Sequence, residues 1–591
     1  MRVLVLTALI ATMLFAQQVR AADIQEVSGI ARSGAVELAM ELMDRHQPSV
    51  DEDPVAWMRW ERERLFLYRS RSQWARMEER VADYPESLNR DFLRWANTER
   101  VRALLSLDRP EEARAVLRTL IWSTNPADTE RQRPWRRLVV ESYLEAGEVQ
   151  AARTALRRFR QDFGDEDGGS RLMEARLYLQ EGDGHQALRV LQALPEADYR
   201  ALRLAAWLMA EPDQAGEILS RSIQLGFDED ADLAQRRMAW SLAARAAEKT
   251  GNRSARIGAL ERGLGYREDP ERLDPMFRLD IDELWTAYQE YGERLGNEAR
   301  ILVGDDPMWF DKAQGYLGSD PIKARALLSV IAHESYESSA RNRAHALIAG
   351  SLDTVRHGPA LLRRLYLDSH RFPDAESIPR SVRYQLAEVA LDEADIPLAS
   401  ELMRGLHEAP EGSDPQEWQL QRGRVLLLGG QRAEGLAVLE GLLSDIEALD
   451  VDRFLQVIFD MQNMGDHEPA YEMLMTLMEG ELSDRQHREI LFWAAESAEG
   501  QGDQAEAARL YLRSAGYLDP FSMDQWAQTA RYRAADALAD AGLVNDARRL
   551  YQSLLNATDD EARRSVLRNR IQRLQTRPLE LTPLEDSPRP E

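Results

Sequence analysis

The stretch Glu141–Phe159, ESYLEAGEVQAARTALRRF, decides how this chain folds. Counted from Ala152, the residues Ala155, Leu156 and Phe159 fall at offsets of three, four and seven, which is one face of a helix. Gly147 stands five residues ahead of Ala152, and Tyr143 four residues ahead of Gly147. A helix that must stop and reverse needs a residue tolerant of positive φ at its C-terminal end, and glycine supplies this without a Cβ clash. The stretch therefore predicts two antiparallel helices meeting at Gly147, with the small Ala152 letting them approach closely.

The same arrangement recurs on both sides. Ala113 is followed by Val116, Leu117 and Leu120; Ala187 by Val190, Leu191 and Leu194; Ala324 by Leu327, Leu328 and Ile331. Further along, Ala399, Gly435, Ala470 and Ala547 each open a triplet at the same offsets, such as Leu402, Met403 and Leu406 after Ala399. Glycines precede several of these small residues by five, at Gly182, Gly465, Gly502 and Gly542 as at Gly147. The residue four before each such glycine is Tyr143, Tyr178, Met461, Ala498 or Leu538. Gly147 to Gly182 spans thirty-five residues, as does Gly430 to Gly465.

A helix pair with a period near 34, a glycine at the turn and a small residue five later resembles the tetratricopeptide repeat. Trp135, Tyr143, Gly147, Ala152 and Phe159 carry that resemblance in one repeat, and Gly423, Gly430, Gly435 and Leu439 in another. It covers, with interruptions, about residues 55 to 575. It implies an all-α fold, an α-α superhelix (solenoid) of tandem helix pairs, with a concave surface lined by the first helix of each pair and used to hold a protein or peptide partner.

The N-terminus reads Met-Arg, then an apolar run from Val3 to Ala16, then Val19-Arg20-Ala21 with small residues where a signal peptidase reads. This predicts a secretory signal peptide over 1–21; the run is short of the ~20 apolar residues a membrane-spanning helix needs. No membrane insertion is expected after its removal. The 591 residues contain no cysteine, which removes disulfide scaffolds, thiolate metal sites, thiol nucleophiles and an acylated N-terminal cysteine. Export without a lipid anchor points to a bacterial periplasm ahead of secretion. The formal charge of −26 opposes generic binding to phosphate backbones, so no nucleic acid partner is expected.

Along the chain, the sequence predicts five segments. Residues 22–245 hold N-terminal helices, at Ala31 to Arg45 and Ala56 to Arg69 with Trp57, Trp60 and Phe66, and a first repeat array. Over 246–380 the pattern diverges, though Leu279 to Arg294 and Arg341 to Leu352 still read as helices and His370 to Pro379 as a loop. A second array runs over 381–575, closed by a helix carrying Val566, Leu567, Ile571 and Leu574. The segment 576–591, with Pro578, Pro583, Pro588 and Pro590 among charges, cannot bury a core and is expected to be disordered.

Little in the sequence points to chemistry. The nine histidines include no His-Glu-x-x-His; His333-Glu334 comes nearest, but position 337 is Glu. An EF-hand loop starting at Asp165, in the acidic run Asp162 to Asp167, would need a carboxylate where Arg176 stands. No phosphate-cradling or nucleophile-elbow motif occurs. The reading is therefore of a chain that is not an enzyme, with no catalytic, cofactor-binding or metal-ligating residue, no cofactor, and groove residues the sequence does not single out.

Three functions compete. The first is an adaptor for a protein or peptide partner in the cell envelope, within an envelope or polysaccharide export assembly. The second is non-catalytic recognition of a glycan, peptidoglycan or exopolysaccharide, which requires a row of exposed Trp or Tyr. The third rests on Glu334-Ser335, similar to the pair that opens the catalytic motif of soluble lytic transglycosylases; the glycine-rich continuation of that motif is absent. Trp135, Trp418, Trp493 and Trp526 fall on first helices, where an aromatic is expected to pack in the core.

Overall fold

The computed structural model describes residues 24–32, 36–125, 128–164, 168–266, 275–302, 304–443 and 450–576. Among these are thirty α-helices and no strand, so the all-α expectation holds. The signal segment 1–21 lies outside the described residues, as does the tail after Thr576. The chain divides into two compact units, one ending at Phe372 and the other beginning at Pro373.

Helix pairs follow one another in each unit. In the first, Thr129–Glu145 packs on Val149–Phe163 and Gly168–Gln180 on Gly184–Leu191; in the second, Pro415–Leu428 packs on Arg432–Leu442 and Asp484–Gly500 on Gln504–Gly516. The corners are built as the sequence predicts. At Gly147, φ is 67°. Its N–H donates to the Leu144 carbonyl at 3.1 Å, and the Glu148 N–H donates to the Tyr143 carbonyl at 2.9 Å. These bonds satisfy carbonyls that the end of a helix would otherwise leave open. The residue four before the glycine thus supplies the accepting carbonyl, and Tyr178, Met461, Ala498 and Leu538 do the same at their corners.

The structure adds corners that a search for glycine misses. Ser72, Asp108, Arg300 and Ala394 hold φ between 53° and 60°, and the residue after each donates to the carbonyl five back: Gln73 to Tyr68, Arg109 to Leu104, Ile301 to Gly296, Asp395 to Ala390. Ser72 to Asp108 and Ala394 to Gly430 are each thirty-six residues, so the period runs through positions where the marker residue has been replaced.

The small residues that open second helices are fully enclosed: Ala113, Ala152, Ala187, Ala399, Ala470, Ala507 and Ala547 all have 0% exposure. In the triplets, the residues at offsets four and seven are buried throughout, as with Leu156 and Phe159, Leu474 and Leu477, and Tyr551 and Leu554. The residue at offset three is half-buried in several repeats, as at Val116, Ala155 and Leu550, because it faces the edge of the interface and not its centre. The closing helix, Glu561–Thr576, buries Leu567 and packs Ile571 and Leu574 against the last pair, while Val566 stays exposed.

One local expectation is corrected. One helix was expected from Ala31 to Arg45; two are present, Ile24–Arg32 and Val36–His46, the second packing with the first on Trp60 and Leu67. Phe66 on the helix Pro54–Ser70 is exposed, with the Arg69 guanidinium 5.7 Å from its ring centre. The face given to the core at that turn belongs to Leu65, Leu67 and Tyr68.

The stretch whose repeat signature diverges is densely packed. Ile281–Ala299 runs along Pro321–Glu334 so closely that a Cβ on Gly292 would lie 2.0 Å from the Ala326 carbonyl oxygen. A Cβ on Gly296 would meet the Trp309 ring at 2.0 Å. Inside this packing Glu261 accepts from Arg325, through Nη2 at 2.8 Å and Nε at 2.9 Å, and from the Tyr288 hydroxyl at 2.7 Å. Both charged side chains are 2% exposed. Large residues and a buried ion pair take the place of the Gly-Ala signature, so the repeat is hard to read in the sequence here although helix packing continues.

Candidate binding groove

In both units successive first helices touch one another, whereas second helices are held further apart. Helix pairs that pack more tightly on one side bend toward it, so the first helices line the inner face. The rungs between them are polar. In the first unit Arg69 pairs with Glu99 at 3.5 Å, Trp135 donates its indole N–H to Thr98 Oγ1 at 2.8 Å, and Arg176 pairs with Glu145 at 2.7 Å. In the second, Arg424 pairs with Asp460 at 2.7 Å and Arg533 with Glu496 at 3.4 Å.

Glu141 is the exception. It sits half-buried on Thr129–Glu145, and its carboxylate makes no hydrogen bond or ion pair among the described residues. Loss of hydration raises its pKa above the ordinary carboxyl value; the Arg176, Arg137 and Arg102 guanidiniums pull it down and Glu145 pushes it up. Those neighbours come from three consecutive first helices, Arg90–Ser106, Thr129–Glu145 and Gly168–Gln180. Arg102, Arg137, Glu145 and Arg176 thus lie near enough to Glu141 to shift its charge, while Arg102 is itself paired with Glu99 and Arg176 with Glu145.

The sequence contains a signal for these positions. Arg102, Glu141, Arg176, Arg245, Glu388, Arg424, Glu496 and Asp536 each stand six residues before a corner. A charge recurring at that offset marks the inward face of the first helix; six of the eight precede glycine corners, and Arg102 and Glu388 join the pattern only through the non-glycine corners at Asp108 and Ala394.

The clefts between helices are a different matter. One of about 860 Å³ lies between Arg200–Ala210 and Ala215–Phe227 and is lined by Arg200, Arg203, Arg221 and Trp207. Each arginine there is occupied: Arg200 by Asp228, Arg203 by the Leu191 and Leu194 carbonyls, and Arg221 by Glu217. These side chains hold adjacent helices together.

The residues weighed in the sequence for other chemistry are scattered. His333 stands 3.7 Å from Glu334, with both half in solvent. Glu334 ends the helix Pro321–Glu334, and the Ser335 hydroxyl is bonded to the Asp306 carboxylate. Asp162 lies on the helix Val149–Phe163, which ends at Gly164; residues 165–167 lie outside the described residues. Trp135 and Trp418 are buried, at 4% and 7% exposure, and Trp493 and Trp526 pack partly buried against the core of the second unit. Of the thirteen tryptophans, Trp122 alone is exposed, so no row of stacking indoles faces solvent.

No protein-family model and no curated protein matches this sequence. Among solved structures, the crystal structure of the yeast Tom70 aligns with it at 12% identity, covering 82% of this chain and 96% of that one, with a TM-score of 0.22. Identity and superposition at this level transfer nothing from that protein to this one. The chain's own geometry is that of an all-helical stack of tetratricopeptide-like pairs.

Proposed function

We propose that this chain is an exported, non-enzymatic scaffold of a bacterial cell envelope, periplasmic after removal of residues 1–21, that holds a protein or peptide partner along the inner face of its first helices. The observation that supports this reading is that three consecutive first helices carry charges of both signs close together, with Glu141 feeling Arg102 and Arg176 from the helices on either side of its own. An extended peptide presents acidic, basic and amide groups at short intervals, and a face with both signs of charge can pair with such a sequence along its length. The leader-like N-terminus supports export, and no helix among the described residues is long and apolar enough to cross a membrane.

The test places a photo-crosslinking amino acid at Ser106, one turn after Arg102, and separately at Arg118 on the second helix of that pair, in cells that express the full chain. A discrete protein adduct from Ser106, absent from Arg118 and weakened by Arg176→Glu, is the expected result. Equal labelling at the two positions counts against a groove-bound partner. Recovery of the adduct from the cytoplasm counts against export.

A further inference from the structure

A second cavity, of about 430 Å³, opens among the helices that follow residue 280 in the first unit. Its lining includes Trp285, Ala332, His333, His345, Arg371 and Phe372. Trp285, Ala332 and His345 are buried, at 2%, 9% and 8% exposure, and form its floor; His333 and Arg371 are exposed at its rim. The volume lies within the range of sites for small organic ligands.

The protonation of His345 follows from its surroundings. Among the described residues, the fully buried Tyr366 hydroxyl has one partner, His345 Nδ1, at 3.0 Å. Burial keeps the tyrosine protonated, by raising its pKa, and pushes the imidazole down to about 4, with Arg371 and Arg341 adding to the second effect. A buried hydroxyl must donate its proton or forfeit a hydrogen bond. Tyr366 therefore donates to Nδ1, and the neutral ring carries its own hydrogen on Nε2. That N–H has no partner among the described residues and belongs to a side chain lining the cavity. Arg371 lies with its guanidinium 5.4 Å from the Trp285 ring centre and pairs with no carboxylate among the described residues. The indole N–H of Trp285 is taken by the Leu365 carbonyl at 3.1 Å, which leaves the ring face as an apolar wall. Of the nearby acids, Glu334 is turned to His333 and Gln289, and Asp282 to Ser369 and His370.

We infer that this cavity binds a small organic carboxylate with an aromatic or branched apolar body, its carboxylate between His345 Nε2–H and Arg371 and its body against Trp285 and Phe372. In a chain of net charge −26, a pocket with two unused cationic or N–H donors and no free acid in its lining selects an anion locally against the general field. The aromatic walls favour such an acid over a bare inorganic anion. Nothing in this inference depends on the inner-face groove.

The experiment is ligand-observed NMR and calorimetry on the full chain with phenylacetate, 3-methylbutanoate, the corresponding amides and inorganic phosphate. The acids are expected to bind, the amides and phosphate not. Arg371→Gln is expected to weaken phenylacetate about tenfold or more, as loss of a charge-assisted bond does. Ala332→Leu, which fills the floor without changing charge, is expected to abolish it. Thermal melting of each variant separates lost binding from lost folding, and the exposed position of Arg371 keeps that variant informative. Amides or phosphate binding as well as the acids, no binding by any acid, or unchanged affinity in Arg371→Gln would each overturn the inference.

Discussion

Arg278 reaches Glu145 at 3.5 Å although the two stand 133 positions apart in the chain. The same carboxylate is held by Arg176 at 2.7 Å, so Glu145 joins its neighbouring first helix to a segment several pairs further on. Both partners of the long-range contact are partly accessible, at 35% and 15%, which limits the strength of the pair. A double-mutant cycle on Arg278→Ala and Glu145→Ala is expected to give a coupling of about 0.5–1 kcal/mol that shrinks as salt is added. A coupling of zero at low salt would remove this contact from the account of the fold.

Glu141 is expected to weaken the fold when ionised. Its folded pKa is raised, so the folded state binds the proton more tightly than the unfolded chain does, and stability falls as pH rises from the ordinary carboxyl value toward the raised one. Glu141→Gln should raise stability at pH 7 by about 0.5 kcal/mol, the scale of a substitution near the surface. Melting curves of the two proteins should converge below about pH 4, where the carboxyl is protonated in both states. A destabilised glutamine variant at pH 7 would instead mean that Arg102, Arg137 and Arg176 need the negative charge.

The corners offer a paired test. Ala394 holds φ at 57°, a left-handed conformation that costs a residue with a Cβ ~1–2 kcal/mol. Ala394→Gly relieves this and loses part of the gain to the looser unfolded chain, for a net stabilisation of about 0.5–1 kcal/mol. Gly147→Ala reverses the exchange and should cost about 1 kcal/mol; no atom lies within 4 Å of the added Cβ, so the loss reports backbone strain without a clash. Chemical denaturation measures both.

The ion pair of Glu261 and Arg325 is expected to be costly to break. Glu261→Gln leaves a guanidinium at 1% residue exposure without its counter-charge, and a loss of about 3–5 kcal/mol is expected. A double replacement by apolar residues of similar volume should recover most of it, since the pair's own desolvation is then removed as well. If the single substitution is neutral in denaturant titration, the pair is dispensable to this packing.

Much of the helix register was legible because the repeat writes it in residues with one physical use. Gly147 and Gly182 mark left-handed turns, and Ala152 and Ala187 mark points of closest approach. Where other residues meet the same need, the trace fades: Ser72 and Ala394 adopt the corner at some strain, and Arg300 ends a helix whose neighbour is admitted by Gly292 and Gly296 on its middle turns. The groove was less legible than the fold. Arg102 and Arg176 are ordinary charged residues in a sequence that is 30% charged, and they become distinctive only when the helices bring them to the same side as Glu141. The pocket at His345 was not legible, because Trp285, Ala332, His345 and Arg371 come from separate helices and a loop, with no spacing in common.

In the second unit, each helix pair leans mainly on the pair before and after it, and the helix Glu561–Thr576 is the last of the described helices. Its hold on the stack is one buried leucine, Leu567, with Ile571 and Leu574 partly covered. Such a stack behaves as a zipper: amide hydrogens of this closing helix should exchange first, and the protection of the interior pairs should rise with distance from that end. Peptide cleaved from the chain under mild proteolysis would then come off in lengths of one helix pair, so the repeat would set the size of the fragments as well as the path of the fold.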